Sequence, residues 1–357
     1  MIARVAIVCP YALDVFGGVQ EQAFGMSREL ATRNIEVLLL SPEGGPLLSE
    51  TPAQVERVGR RLSLPANGSK APITLSLSAA RKSARLIDDF NPDVVHIHEP
   101  FAPVLAYHEV TRRRRPHVAT FHRSGGGPAY SLTRPLLTWL LRGIDARVAV
   151  SDAASATLRH ATGANSDVLF NGFEMNRFAS KDRPTRPRVL FLGRLEDRKG
   201  LAVLLEAHRT ASFEYDLVIA GGGPGLEAAK AQASASVQVL GPVDDLTKRE
   251  LLATSSALVA PSLYGESFGL ILLEAMASRT PVVASDIEGY AIAAAGHAEL
   301  FSPGDASDLN RALRSALLAT TESREAAYRH AESYSMSRLM DRYLEIYERS
   351  LVAFSRR

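Results

Sequence analysis

The chain has 357 residues, 46% of them apolar and 22% charged, with a formal net charge of +2. That is the composition of a soluble globular protein with length for two ordinary domains. A charge so near zero argues against wholesale nucleic-acid binding. The single cysteine, Cys9, excludes an intramolecular disulfide and fits a reducing compartment. No apolar run reaches the roughly 20 residues that span a bilayer, and the apolar run within 1–9 is too short for a signal peptide.

Residues 4–8 read as a first buried strand. A glycine turn, D-V-F-G-G-V-Q at 14–20, leads into helical spacing over 19–32, with Phe24, Met26 and Leu30 on the apolar side. Residues 35–40 form a second strand, and this order opens a doubly wound α/β sheet. The turn is not G-x-G-x-x-G, so a dinucleotide fingerprint is absent; its glycines serve either a tight turn or the close approach of a ligand. Residues 55–71 are the least regular, with an Asn67-Gly68 turn signal.

The span 75–90 reads as an amphipathic helix in which Leu77, Ala84, Leu86, Ile87 and Phe90 oppose Arg81, Lys82 and Arg85. A solvated face fits this pattern, and so does a contact with anionic lipid. Residues 93–98 predict a strand and 99–110 a helix-like run. His96 and His98 are read as pointing to opposite faces of that strand, which argues against a metal site there. The basic run 112–115 reads as a solvated loop or as part of the same basic surface. Strand 117–122 ends at His122, before a glycine-rich loop. That strand edge is where open α/β sheets bind ligands, so His122 is either structural or part of a site. A strand at 147–150, a helix to His160 and a strand at 167–170 complete the first layer.

Residues 171–186 are polar and read as an interdomain linker. The pattern then restarts, with strands at 188–192, 216–220, 237–240, 257–260, 281–284 and 298–301. Helices follow at 306–318 and 336–354. Two consecutive βα arrays predict two Rossmann-like domains, 1–170 and 171–335.

The chemistry gathers on the loops of the second array. Arg194 offers a planar fork of donors and Lys199 a compact charge, a pair suited to a diphosphate. The stretch P-S-L-Y-G-E-S-F-G-L-I-L-L-E at 261–274 places Glu266 and Glu274 around a Ser-Phe-Gly turn. A helix starting near Phe268 would turn its free amides towards whatever Glu266 touches, with Glu274 two turns in. Cations for a leaving diphosphate and carboxylates for hydroxyls together suit a sugar nucleotide. No Ser–His–Asp, Cys–His or Walker A signature competes.

These residues carry a resemblance. G-R…K-G at 193–200 followed by G-E-S-F-G-L…E at 265–274 resembles the retaining glycosyltransferases of family 4, which have the GT-B fold. Further stretches resemble the phosphatidylinositol mannosyltransferase branch: V-C-P-Y…D-V-x-G-G-V-Q (8–20), N-G-S (67–69), V-x-H-I-H-E-P (94–100), V-A-T-F-H (118–122), A-V-S-D (149–152), V-L-F-L-G-R (189–194) and G-x-V-D-D-x-T-K (241–248). Together they cover nearly the whole length.

The resemblance implies an α/β GT-B fold of two doubly wound parallel-sheet domains facing across a cleft, with the helix from 336 packing back on the first domain. It implies transfer of mannose from GDP-mannose to phosphatidylinositol with retention. In this chain Arg194 and Lys199 would hold the donor diphosphate, Glu266 the sugar and Glu274 the ribose. Ser267, Phe268, Gly269 and Leu270 would supply amides, and Val243, Asp245 and Lys248 would seat the guanine. Gly18 would approach the diphosphate, and His122 would lie beside the sugar and the acceptor. Tyr11, Gln20, Asn67 and Ser69 would line the acceptor side, and Arg81, Lys82 and Arg85 would touch an anionic membrane. No tightly bound cofactor or protein-held metal is implied, with Mg²⁺ at most stimulatory. The implied location is cytoplasmic, peripheral on the inner face of the cell membrane. Two other readings fit: a family 4 enzyme with another donor, a soluble acceptor or another lipid, and a non-catalytic sugar-nucleotide-binding protein.

Overall fold

The computed structural model describes residues 2–15, 17–66, 69–102, 104–123, 125, 128–266 and 268–356, with the backbone alone described at 64–66, 69–71 and 128–132. The chain forms two compact units, Met1–Gly172 with Met336–Arg357, and Phe173–Ser335.

The first unit opens with β1 (Arg4–Val8), α1 (Gly18–Thr32), β2 (Glu36–Ser41) and β3 (Gln54–Arg57). A hairpin follows, β4 (Leu62–Ala66) with β5 (Ser69–Ile73), and then α2 (Leu77–Phe90). The unit continues with β6 (Val94–His98), α3 (Tyr107–Arg112), β7 (His117–Phe121), α4 (Pro128–Leu141), β8 (Ala146–Ala149), α5 (Asp152–Thr162) and β9 (Asp167–Val168). Its seven-stranded sheet runs β3-β2-β1-β6-β7-β8-β9, parallel throughout.

The period of two along each strand divides the core. Val5, Ile7, Cys9, Val94 and Val118 join Phe24, Met26 and Leu30 on one face. Ala6, Val8, Val95, Ile97 and Ala119 join Ala79 and Ile87 on the other. Burial pushes the Cys9 thiol up to about 12, so it stays protonated. The N-terminus of α2 is capped by the Ser76 hydroxyl, which accepts the Ala79 amide at 3.2 Å.

The second unit holds β10 (Arg188–Leu192), α6 (Leu201–Thr210), β11 (Asp216–Ala220), α7 (Leu226–Lys230), β12 (Val237–Gly241), α8 (Asp245–Thr254) and β13 (Ala257–Ala260). It continues with α9 (Leu270–Ala277), β14 (Val282–Ser285), α10 (Glu288–Ala294), β15 (Glu299–Phe301), α11 (Ala306–Leu317) and α12 (Thr321–Glu332). Its sheet order is β12-β11-β10-β13-β14-β15, again parallel. The last helix, α13 (Met336–Ser355), belongs to the first unit. Its buried positions Met336, Leu339, Met340, Tyr343, Ile346, Tyr347 and Ser350 recur every three or four residues. They pack on the face that also holds α1.

Three expectations change. The helix-like run 99–110 is helical only over Tyr107–Arg112. Glu99 instead takes φ 44, and its Oε2 accepts the amides of His122 at 2.9 Å and Arg123 at 3.0 Å. The polar segment 171–186 holds the boundary between the units, and from residue 173 it is tied to the second: Lys181 donates its amide to Ala253 O, and the Arg183 guanidinium donates to the carbonyls of Ser255 and Arg279. Helix α12 was not expected; it buries only Ala327 and Ala331, too few for a clear period. Among the described residues, no helix is long and apolar enough to cross a membrane.

Candidate active site

In an open parallel sheet, the crevice for a ligand lies beyond the strand C-termini where the strand order reverses. In the second unit that point falls between β10 and β13. The loops leaving these two strands are 193–200 and 261–269. They are knitted together by the Leu263 amide donating to Arg198 O at 2.7 Å. Gly200 adopts φ 68, and a Cβ there would stand 1.9 Å from the Pro261 carbonyl oxygen. Only glycine allows that approach.

The side chains on these loops alternate in charge. Lys199 Nζ pairs with Glu266 Oε1, and Arg198 Nη1 lies 3.2 Å from the same oxygen. Glu196 bridges Arg198 at 3.0 Å and Arg194 at 2.6 Å. The cluster of three cations and two carboxylates therefore joins the two residues expected for a diphosphate to the one expected for a sugar. Lys199 and Glu266 are mostly buried, with side-chain exposures of 17% and 14%, whereas Arg194 is 60% exposed. Arg198 was not anticipated, although it stands beside Lys199 in the same run. Tyr290 donates or accepts a 2.9 Å hydrogen bond with Ser262, and burial together with the Glu266 charge raises its phenol.

Helix α9 starts at Leu270, later than expected, so Glu274 lies one turn in rather than two. Gly269 is its N-cap at φ 84, where a Cβ would meet the Tyr290 ring at 2.5 Å. Glu274 Oε1 accepts from Lys248 Nζ at 2.9 Å. Lys248 also lies 3.6 Å from Asp245, which pairs with Arg177 and, at 2.9 Å, with Arg249. Val243 is half-buried in the turn before α8. Phe268 is buried against the Tyr334 ring at 5.3 Å. Ser267 lies outside the described residues.

In the first unit the strand order reverses between β1 and β6. Tyr11 is half-buried after β1, and buried Gln20 donates from Nε2 to Ala12 O at 3.4 Å. Gly18 opens α1, and a Cβ there would meet nothing within 4 Å. His122 follows β7 and is partly buried; Nε2 lies 2.9 Å from His98 Nδ1. Burial pulls His122 down to about 3, leaving a neutral imidazole.

His96 and His98 do not point to opposite faces. Residues two apart on a strand share a face, and their rings lie 4.7 Å apart. Both are fully buried on the α13 side. His96 meets Tyr347 Oη at 2.7 Å and Thr120 Oγ1 at 3.0 Å, and Thr120 meets Tyr343 Oη at 2.8 Å. Burial lowers both histidines, His96 to about 3. Among the described residues, no group of three or more His, Cys, Asp or Glu side chains could hold a metal ion.

Arg81, Lys82 and Arg85 are all exposed on one face of α2. Asn67 and the side chain of Ser69 lie outside the described residues.

Two families match the chain in tandem: Glycosyltransferase Family 4 over residues 16–177 and Glycosyl transferases group 1 over 172–334. The chain is 36% identical over 303 residues to a phosphatidyl-myo-inositol mannosyltransferase of Mycobacterium leprae, covering 80% of this chain and 79% of that protein. The protein of that name from Mycolicibacterium smegmatis is 36% identical over 85% of this chain and 82% of its own. Among solved structures, a glycosyltransferase from Rickettsia africae matches with TM-score 0.77 at 20% identity, covering 98% of this chain and 99% of the other. Sucrose-phosphate synthase from Thermosynechococcus elongatus matches with TM-score 0.75 at 17% identity, covering 98% and 100%. With its two parallel-sheet units and these relatives, the chain belongs to the family 4 glycosyltransferases of GT-B fold.

Proposed function

We propose that the protein transfers mannose from GDP-mannose to phosphatidylinositol, with retention, at an anionic membrane surface. One observation carries this reading: 36% identity to phosphatidyl-myo-inositol mannosyltransferases over about four fifths of both chains. The geometry of the second unit supports it. Arg194 and Lys199, joined by Arg198, receive the donor diphosphate and stabilise the charge that develops as it leaves. Their carboxylate partners are then released: Glu266 turns to the sugar hydroxyls. Glu274, held by Lys248, takes the ribose, while Val243, Asp245 and Lys248 seat the base. The amides of Ser267, Phe268, Gly269 and Leu270 add phosphate and sugar contacts.

In the first unit, Gly18 approaches the diphosphate and His122 lies by the sugar and the acceptor. Tyr11, Gln20, Asn67 and Ser69 line the acceptor side. The acceptor hydroxyl attacks the face the diphosphate leaves, and a departing phosphate oxygen takes its proton. The protein's own cations carry the neutralisation, with Mg²⁺ a stimulant only. Arg81, Lys82 and Arg85 hold α2 on the inner face of the cell membrane.

The test is transfer from radiolabelled GDP-mannose to phosphatidylinositol liposomes, beside free inositol and beside UDP- and ADP-sugars. Labelled lipid with GDP-mannose alone is expected. Label appearing only in soluble inositol overturns the lipid acceptor, and transfer from another nucleotide sugar overturns the donor.

A further inference from the structure

His122 is held at two points. Its backbone amide is fixed by the Glu99 carboxylate at 2.9 Å, and its ring by His98 at 2.9 Å. Glu99 is itself buried and has the left-handed φ of 44, so the clamp is built into the turn after β6. The His98–His122 bond joins two ring nitrogens, of which one carries the proton and the other accepts it. Two arrangements satisfy it.

If His122 Nε2 held the proton, His98 would carry its own on Nε2. That nitrogen is buried and has no hydrogen-bond partner among the described residues. A buried N–H without an acceptor is rare in folded proteins, rarer than an acceptor left short of donors. With the proton on His98 Nδ1, the orphaned atom is only a lone pair. His98 Nδ1–H then donates to His122 Nε2, and neutral His122 carries its proton on Nδ1. His122 Nδ1 makes no hydrogen bond to another described residue and is not among the buried unpartnered atoms.

We propose that His98 is a positioning residue: it fixes the ring and the tautomer of His122 so that His122 presents Nδ1–H as a hydrogen-bond donor to an oxygen of the sugar or the acceptor. The assignment of that oxygen rests on the reading of His122 given above; the tautomer does not. In this arrangement Nε2, spent on His98, is not available as a base. His122 therefore orients and polarises, and proton removal from the acceptor falls to another group. This agrees with the departing phosphate in that role.

The tautomer is read directly from long-range ¹H–¹⁵N spectra of the full chain labelled at histidine, with His122→Ala assigning the signal. A protonated Nδ1 and unprotonated Nε2 at neutral pH are expected. A proton on Nε2 overturns the proposal. Kinetics supply the second readout. In His98→Asn the side-chain amide can stand where Nδ1–H stood, whereas His98→Leu has no donor. The leucine variant is expected to lose kcat by on the order of tenfold, as for one lost hydrogen bond, with a much smaller change in the donor KM. The asparagine variant recovers most of it. Equal loss in both variants makes His98 merely structural and overturns the proposal. If His122→Ala transfers mannose normally, the reading of His122 in the reaction fails, while the tautomer measured in the native chain still stands or falls by itself.

Discussion

At single residues, the two loops at the β10–β13 reversal depend on close approach as much as on charge. Gly200 separates Lys199 from α6 and lets the two loops at the β10–β13 reversal touch. A methyl group at Gly200 would lie 1.9 Å from a backbone oxygen, at a φ of 68. Neither the oxygen nor the dihedral can adjust without moving Pro261 or Lys199. Gly200→Ala is expected to destabilise the second unit by roughly 2–4 kcal/mol and to weaken nucleotide binding at the same time. Thermal melting with and without GDP checks this, and an unchanged melting temperature with an unchanged GDP shift contradicts it. Arg194, Lys199 and Glu266 stood out in the sequence because each falls in a loop after a strand, and Glu274 because it follows Glu266 into α9. Arg198 was hidden beside Lys199, since sequence adjacency does not say which cation reaches a carboxylate from another loop. His98 was hidden for another reason: its value lies in a 2.9 Å contact with a residue just past the end of the neighbouring strand, a tertiary fact.

At the scale of elements, α13 was visible from its spacing, and its apolar stripe explains most of its hold. What the spacing does not reveal is the polar end of that stripe. Tyr343 and Tyr347 reach β6 and β7 through Thr120 and His96, all buried. Removing the Tyr347 hydroxyl strands one nitrogen of His96 in the core. Tyr347→Phe is therefore expected to cost about 1–3 kcal/mol in urea unfolding. Tyr343→Phe should cost less, because Thr120 keeps its bond to His96; the reverse order would show the network to be misassigned. Helix α2 offers the opposite case. Its exposed Arg81, Lys82 and Arg85 looked the same in sequence whether they faced water or lipid, and exposure still fits both. Each basic residue near an anionic surface contributes about 1 kcal/mol, so Arg81→Ala with Lys82→Ala should weaken vesicle binding by more than tenfold at low salt and by less at high salt. Sedimentation with phosphatidylinositol vesicles that shows no change assigns the face to solvent.

For the whole molecule, the buried histidines set how the chain meets acid. His96 has an ordinary value of 6.5 and is pulled to about 3 by burial, and His98 is lowered in the same sense. Between those values the unfolded chain takes up a proton that the folded chain refuses. The stability that His96 contributes is thus complete above pH 6.5 and is lost as pH falls towards 3, and His98 adds a loss of the same sign. Glu99, raised by burial, keeps its proton to higher pH when folded, so above its ordinary value it opposes part of that loss. His122, beside them, adds to the loss in the same direction. Tyr343 and Tyr347 are raised by burial and stay neutral throughout. All these groups lie in the first unit. So does Trp139, the one tryptophan of the chain. Tryptophan fluorescence therefore follows that unit, while far-ultraviolet circular dichroism follows both. On acidification from pH 7 to 5, the fluorescence midpoint in urea should fall steeply, and the dichroism midpoint should fall in the same direction, since burial also lowers His208 and His297 in the second unit. Replacing His96 and Tyr347 together by an apolar pair that packs without cavities should flatten that pH slope by about one proton. A midpoint that ignores pH over this range would mean that these imidazoles are charged or solvated in the folded chain, and that the neutral clamp on His122 does not exist.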